Sequence, residues 1–184
     1  MNKFFNYLQT ISRANGLGNG QEVQWLFHCG MLFSSGQKWW GDFKLRSTAH
    51  EGIDITYFRT HSNEVQCFDS SIKIPAMDDG MIINICDDFL GQTLVIEHKN
   101  SKALACRILF AYSHIIPEKD VNIDLAIKKE DIIATVCDTR KNPQLPPHLH
   151  FSCFEVSKQV LPRHLNWNLF SNCRELNVIH PCFL

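Results

Sequence analysis

Apolar residues near the amino terminus recur at helical spacing. Phe4, Leu8 and Ile11 are three or four positions apart, which places them on one face of a helix. An Asn-Gly pair follows at once and is a typical helix stop. The pattern predicts a short amphipathic helix over residues 2–14.

From His50 onward the pattern is typical of strands. Five short runs are rich in Ile, Val, Leu and Phe, and turn formers separate them. No segment with helical periodicity lies between them, which disfavours a βαβ fold. We therefore expect a mainly β fold: an antiparallel sheet or barrel-sandwich with a short N-terminal helix. The predicted strands are GMIINIC (80–86), QTLVIEH (92–98), RILFAYSHI (107–115), EDIIATVC (130–137) and HLHFSCFEV (148–156).

The length of 184 residues fits one domain with small extensions. We divide it into an N-terminal helix and connecting segment, 1–38, and a main domain, 39–184. The main domain includes a C-terminal extension from about 157. Residues 57–71 are polar and are interpreted as a loop or insertion.

Composition and charge exclude several classes of protein. Hydrophobic residues make up 45% and charged residues 20% of the chain, which is ordinary for a globular protein. The net charge of −1 creates no general attraction to nucleic acid or anionic lipid. No apolar run is long enough to span a bilayer, and the N-terminus lacks the apolar core and cleavage site of a signal peptide. A partner must therefore be recognised by a local site.

The eight cysteines are scattered, without a C-x-x-C pair, which argues against a zinc ribbon or a thioredoxin-type motif. Several lie in apolar runs, as Cys86 and Cys106 do. We expect most of them to be reduced and buried as small hydrophobic residues. A disulfide framework is the less favoured alternative, because a chain of this length can form a core without one.

The first candidate site is the H-x-x-x-D motif formed by HEGID. In a strand, His50, Gly52 and Asp54 would share one face, with Ile53 and Ile55 on the other. An imidazole and a carboxylate would then point the same way. The glycine between them would leave room for a metal ion to approach.

The second candidate site is the H-x-H motif in PPHLHF. His148 and His150 would lie on one face of a strand, with Leu149 and Phe151 toward the core. A further histidine, His114, ends the predicted strand RILFAYSHI. Three histidines and one aspartate suit a catalytic zinc ion with three protein ligands and an open position for water.

A structural role is the competing interpretation of each histidine. One histidine beside a strand is usually a satisfied polar residue, and H-x-x-x-D alone occurs often by chance. The combination of the three histidine-containing segments, on separate predicted strands, favours a functional site. The remaining histidines receive the structural interpretation: His28, His61, His98, His164 and His180.

The motifs and their order resemble the lysostaphin/LytM-type zinc endopeptidases, which hydrolyse peptide bonds in peptidoglycan. The resemblance runs from about Trp40 to Val156, and the closing VIHPCFL is similar to the last strand of that family. It rests on AHEGIDI, IPAMDDGMI, GQTLVIEH, FAYSHI, IKKEDIIATV and PPHLHF.

The resemblance implies a zinc site and a substrate groove. Its ligands would be His50, Asp54 and His150, and its catalytic residues His114 and His148. The substrate peptide would lie in a groove over the sheet. Which histidine is the general base and which stabilises the oxyanion stays open at this point, and so does the peptide bond that is cleaved.

The chain departs from the family pattern in its loops. Glycines common in the family are replaced at Glu130, Ala134, Cys137, Arg140 and Pro146. These changes concern substrate choice more than zinc binding. The ligand strands and the aromatic segment around Trp39-Trp40 lead us to expect a narrow groove that prefers glycine or alanine beside the scissile bond.

Two other classes of protein remain as alternatives. A non-catalytic module that binds peptidoglycan or protein could use the same fold. A phosphocarrier of the sugar phosphotransferase type also presents two histidines on a similar sheet. The phosphocarrier has no use for Asp54 or for a third histidine, so its metal content would distinguish it from the other two classes.

Overall fold

The structure is a computed structural model, and it describes residues 2–61, 63–98, 105–139, 144–171 and 176–183. The fold is mainly antiparallel β with a short N-terminal helix, which confirms the predicted class. The helices are α1 (Lys3–Ala14) and α2 (Trp167–Phe170). The strands are β1 (Gln24–Leu26), β2 (Gly52–Ile55), β3 (Tyr57–Arg59), β4 (Val65–Gln66), β5 (Lys73–Pro75), β6 (Gly80–Asp87), β7 (Gln92–His98), β8 (Cys106–Pro117), β9 (Ala126–Ile127), β10 (Ile132–Val136), β11 (Leu149–Ser157) and β12 (Asn177–Ile179).

Helix α1 forms where the periodicity predicts it. The Asn2 side chain caps it by accepting hydrogen bonds from the Phe4 and Phe5 amides at 2.8 and 3.3 Å, which satisfies two of the free donors of the first turn. The apolar face is buried, and the ring of Tyr7 lies 5.3 Å from that of Phe151 on β11. The helix therefore shares its core with the main sheet.

The main sheet has the strand order β12-β11-β8-β7-β6-β9. Strand β2 pairs with β11, and β10 pairs with both β8 and β5. All pairings of this sheet are antiparallel. The five predicted strands are confirmed as β6, β7, β8, β10 and β11.

The alternation along β11 divides the molecule into two layers. Leu149, Phe151 and Cys153 point into the main core, together with α1. Phe154 and Val156 belong to a second buried cluster on the opposite face, which is covered by the C-terminal extension. His150 and Ser152 have the same parity as Phe154, so the site and the second cluster share one face of the sheet.

The interpretation of residues 57–71 as a polar loop is wrong. Strands β3 and β4 lie in this segment and pair with each other, and β3 also pairs with β1 in a separate three-stranded sheet. Phe58 and Phe68 are buried in the main core. Strands of two or three residues are too short to show an alternation, which explains why the sequence pattern did not reveal them.

The expected burial of the cysteines is wrong for most of those described. Only Cys153 is buried, and Cys29 and Cys67 are exposed. The other described cysteines are half-buried at strand ends and in loops, where an apolar neighbour in sequence does not ensure burial. Cys173 lies outside the described residues.

The backbone at Glu130 is in the left-handed region, with a φ of 73°. This is the turn in which the family pattern has glycine, and a side chain is unfavourable there. Arg140, another departure from that pattern, lies outside the described residues. No helix in the described part of the chain is long and apolar enough to cross a bilayer.

Candidate metal centre

Strand pairing brings the two motifs together. Asp54 on β2 is the register partner of His150 on β11, so the two side chains leave the same face side by side. The Nδ1 atom of His150 is 2.7 Å from Oδ1 of Asp54. The main-chain register therefore sets this contact.

His50 completes the group from outside the strand. The sequence placed it in a strand with Asp54, but β2 begins only at Gly52. The reason is that the backbone of His50 pairs with a loop: its carbonyl accepts from the Ser34 amide at 2.7 Å, and its amide donates to the Ser35 carbonyl at 3.0 Å. Its Nε2 atom still lies 3.3 Å from Asp54 Oδ1 and 3.1 Å from His150 Nδ1.

Gly52 is required by the packing of the two strands. A Cβ at this position would lie 2.5 Å from Ser152 Oγ and 2.6 Å from the Phe151 carbonyl oxygen. The glycine thus permits the close approach of β11 to β2. It acts on the site through the strand pair that holds Asp54 against His150.

The three donor atoms fit a zinc ion. His50 Nε2, Asp54 Oδ1 and His150 Nδ1 form a triangle with edges of 2.7, 3.1 and 3.3 Å. At zinc–ligand distances of about 2.0–2.1 Å, tetrahedral ligands are about 3.3 Å apart. Two imidazoles and one carboxylate are also a usual donor set for catalytic zinc. All three residues are buried, at 2, 2 and 5% exposure.

A second set of contacts orients the donors. The Trp39 indole N–H donates to Asp54 Oδ2 at 2.6 Å. On the far side of His150, Nε2 lies 2.7 Å from Ser152 Oγ and 3.5 Å from Glu51 Oε1. Nδ1 of His150 is therefore free to face the other two ligand atoms. Such partners of metal ligands fix ring orientation and tautomer.

The imidazoles beside Glu51 and Asp54 hold both carboxyl groups ionised. Burial opposes ionisation of Glu51, but the hydrogen bond and charge of His150, a backbone hydrogen bond and the charge of His50 together outweigh it, and the pKa of Glu51 falls to about 2. Burial also opposes the charge of Asp54, yet the pKa of Asp54 is held well below its usual range by the charge of His50 and the hydrogen bond from His150. Two carboxylates are therefore ionised in a buried site.

His148 lies immediately before β11, beside the triangle. Its Nδ1 is 2.9 Å from the Pro146 carbonyl oxygen, to which it donates, and its Nε2 is 3.9 Å from Asp54 Oδ1. The Trp39 ring packs edge-on against it at 5.2 Å. Burial lowers the pKa of His148 to about 3. The imidazole is neutral, with Nε2 available as an acceptor.

His114 was expected to end its strand, and this is wrong, because β8 continues to Pro117. The backbone instead has a φ of 64° at His114, and the register with β7 shifts between Gln92 and Leu94. This is a bulge, a feature that redirects a side chain without ending a strand. The bulge brings the imidazole to 4.9 Å from the ring of His148.

Asp88 holds His114 in place. One carboxylate oxygen is 2.9 Å from His114 Nδ1, and the other accepts from the His114 amide at 2.9 Å. The Leu90 and Gly91 amides also donate to this carboxylate, at 2.9 and 2.8 Å. Burial raises the pKa of Asp88, but the hydrogen bonds and charge of His114 outweigh it and hold the pKa below its ordinary value.

The orienting residues escaped the sequence analysis. Asp88 lies among the turn formers between the predicted strands 80–86 and 92–98, and Trp39 was interpreted only as part of an aromatic segment. Ser152 had a usable signal, since it lies two positions after His150 on the same face of the strand. Asp88 and Trp39 had no such sequence signal, because both lie in loops whose conformation depends on tertiary packing.

The site opens into a cavity of about 200 Å³. Its walls include Trp40 and Phe89. The Arg46 guanidinium lies over the Trp40 ring, 4.6 Å from its centroid, and the Phe89 ring lies beside that of His114. Trp167, from the C-terminal extension, forms a further wall. The arrangement is a buried group of three residues that could hold a metal ion, flanked by two histidines within a small aromatic cavity.

No family model and no curated protein matches the sequence. Among solved structures, the chain is similar to lysostaphin, with 15% identity and a TM-score of 0.48 over 80% of this chain and 47% of that one. It is similar to Csd3 of Helicobacter pylori, with 20% identity and a TM-score of 0.43 over 77% and 33%. It is also similar to LytU, with 20% identity and a TM-score of 0.46 over 78% of this chain and 79% of that one.

The chain thus spans about half of lysostaphin and a third of Csd3. Lysostaphin and LytU belong to the family that the sequence motifs resemble. At TM-scores below 0.5 they carry no conclusion about activity. The zinc-peptidase resemblance therefore continues to rest on the motifs and on the geometry of the site.

Proposed function

We propose that the protein is a zinc metalloendopeptidase that hydrolyses peptide bonds in the cross-links or stem peptides of peptidoglycan. The observation that carries the proposal is the triangle of His50 Nε2, Asp54 Oδ1 and His150 Nδ1, with edges of 2.7–3.3 Å. These three residues would hold the zinc ion. When bound, zinc supplies a Lewis acid that makes water acidic and polarises a carbonyl group.

His148 is the general base in this proposal. Its Nδ1 proton is engaged by the Pro146 carbonyl, so Nε2 carries the lone pair. Nε2 also lies on the side of the ligand oxygen of Asp54. It accepts the proton of the attacking water.

His114 is the donor in this proposal. Its ring is oriented by the carboxylate of Asp88, 2.9 Å from Nδ1. In this role His114 donates a hydrogen bond to the developing oxyanion or a proton to the leaving amine. The assignment of general base and donor to the two histidines thus follows from the hydrogen-bond partner of each ring, Pro146 for His148 and Asp88 for His114.

The test combines metal analysis with digestion. Purified protein is expected to contain zinc and to release peptide fragments from peptidoglycan, as identified by mass spectrometry. A glycine-bridged peptidoglycan, a directly cross-linked one and casein are compared, each with and without a chelator. Chelator-sensitive digestion of casein alone would contradict the proposal.

A non-catalytic binding module is the second candidate. The observation in its favour is burial: the five site residues, His50, Asp54, His114, His148 and His150, are each at most 5% exposed. Binding of peptidoglycan without release of any fragment, by a zinc-loaded protein, would support this candidate over the enzyme.

A further inference from the structure

The C-terminal extension covers the face of the sheet that carries the metal centre. Leu165 and Phe170 are fully buried. The Phe170 ring stacks on that of Phe154 at 4.5 Å and 6°, and the Leu165 carbonyl accepts from the Asn84 side-chain amide at 2.9 Å. The segment is therefore anchored on both sides of Trp167, as a fixed part of the fold.

Trp167 marks the border between this covered face and the metal centre. Its ring lies 5.5 Å from that of His150. Its indole N–H donates to Thr93 Oγ1 at 2.8 Å, and Thr93 donates to Asp88 Oδ2 at 2.8 Å. The other oxygen of Asp88 holds His114. Trp167, through Thr93, and His114 are thus both hydrogen-bonded to the carboxylate of Asp88.

The space that Trp167 leaves is small. The cavity has a volume of about 200 Å³, below the roughly 300–1,000 Å³ of usual ligand pockets. Phe89, whose ring lies 4.5 Å from His114, narrows the opposite part. Trp167 packs against the second core cluster, and its neighbours Leu165 and Phe170 are fully buried in it. The Trp167 wall therefore cannot yield to a bulky side chain without unpacking this cluster.

We propose that Trp167 is a specificity-determining residue. Its ring closes the site on the side of His150, so that the substrate residue lying against it must be glycine or alanine. This inference rests on the proposed peptidase function and names the residue that selects its substrate. A steric wall excludes a leucine side chain strongly, whereas it separates glycine from alanine only weakly, since one methylene group is worth about 1–3 kcal/mol.

The experiment compares Trp167→Ala with Trp167→Phe. The alanine variant opens the wall; the phenylalanine variant keeps a ring but loses the hydrogen bond to Thr93. Leu161→Ala, at an exposed position of the same extension, is the matched control. Zinc content and thermal unfolding are measured first, to establish that each variant is folded and loaded.

Short peptides with glycine, alanine, valine or leucine on either side of the scissile bond are then assayed. In the unaltered protein, kcat/KM is expected to fall steeply from glycine to leucine on one side of the bond. Trp167→Ala is expected to reduce this glycine-to-leucine ratio at least tenfold, mainly through KM of the leucine peptides. Trp167→Phe and Leu161→Ala are expected to retain the ratio within about threefold.

Binding provides a readout that does not depend on turnover. The same peptides are titrated calorimetrically into His148→Ala protein, with and without Trp167→Ala. Tighter binding of leucine peptides after Trp167→Ala supports the proposal even if no peptide is hydrolysed, in which case only the peptidase function fails. An unchanged glycine-to-leucine preference in binding, or no binding of any peptide, overturns the role of Trp167.

Discussion

The indole N–H of Trp39 donates to the outer oxygen of Asp54 at 2.6 Å, while the inner oxygen faces the imidazoles of His50 and His150. The two carboxylate oxygens therefore have separate tasks. Trp39 is buried, and its contact fixes the plane of the carboxylate. Trp39, which the sequence suggested as a groove wall, instead orients the carboxylate of a candidate metal ligand.

Replacing Trp39 should weaken metal binding. We expect Trp39→Phe to lower zinc affinity about 10–100-fold, the usual effect of removing a hydrogen-bond partner of a metal ligand. Competition with a chromophoric chelator measures the affinity. Trp25→Phe is the matched control, because Trp25 Nε1 is buried without a hydrogen-bond partner among the described residues. Equal affinities in the two variants would contradict the orienting role of Trp39.

The ligand residues themselves should account for the metal. We expect about one zinc ion per chain, and loss of most of it in Asp54→Ala and in His150→Ala, since three protein ligands complete such a site. Elemental analysis after gel filtration measures the content, and His61→Ala, at an exposed position, is the control. Full retention of zinc in both ligand variants would refute the assignment.

The flanking histidines should affect rate but not metal content. We expect His148→Ala and His114→Ala to retain zinc and the fold, yet to lose peptidase activity about 100-fold or more, as is usual for general acid–base groups. Initial rates on a cleaved peptide, with zinc content determined on the same samples, are the measurement. Normal turnover by either variant would remove that histidine from the proposed mechanism.

Sequence patterns predicted the main strands because each is long enough to show its periodicity. The motifs also named all five residues that meet at the site, of which Asp54 and His150 are brought together by the register of β2 and β11. Sequence patterns failed where tertiary packing decides. The bulge at His114, the loop pairing of His50 and the short strands β3 and β4 depend on partners distant in sequence.

Glu130 offers a test of backbone strain at a departure from the family pattern. At its φ of 73°, a residue with a Cβ costs roughly 1–2 kcal/mol. Glu130→Ala keeps this cost and removes the exposed ion pair with Arg13, which contributes only about 0–1 kcal/mol. We therefore expect Glu130→Gly to be more stable than Glu130→Ala by about 1 kcal/mol.

Chemical denaturation of the two Glu130 variants measures this difference. Lys129 is the control position, because it is not among the residues with positive φ. There glycine should be less stable than alanine, since it gains more freedom in the unfolded chain. If alanine is the more stable residue at both positions, strain at Glu130 is not present in solution.

His98 should make the stability of the fold depend on pH. Its Nδ1 donates to the Asp79 carbonyl at 2.7 Å, whereas its buried Nε2 has no hydrogen-bond partner in the described part of the chain. Burial lowers the pKa of His98 below its ordinary value. Below a pH of about 6.5, the unfolded chain therefore binds a proton that the folded chain does not. The contribution of His98 to stability is fully present above that pH and is lost as the pH falls toward the folded pKa.

His98→Phe isolates this contribution. The variant keeps an aromatic ring beside Phe110, which lies 4.1 Å away, but it loses the hydrogen bond to Asp79 and the titrating group. It is expected to be less stable than the unaltered protein at pH 8, and this deficit should shrink at pH 5, because only the unaltered protein carries the protonation cost. Urea unfolding at several pH values measures the gap in unfolding free energy. A gap that stays constant from pH 8 to pH 5 would show that His98 titrates alike in the folded and unfolded chain.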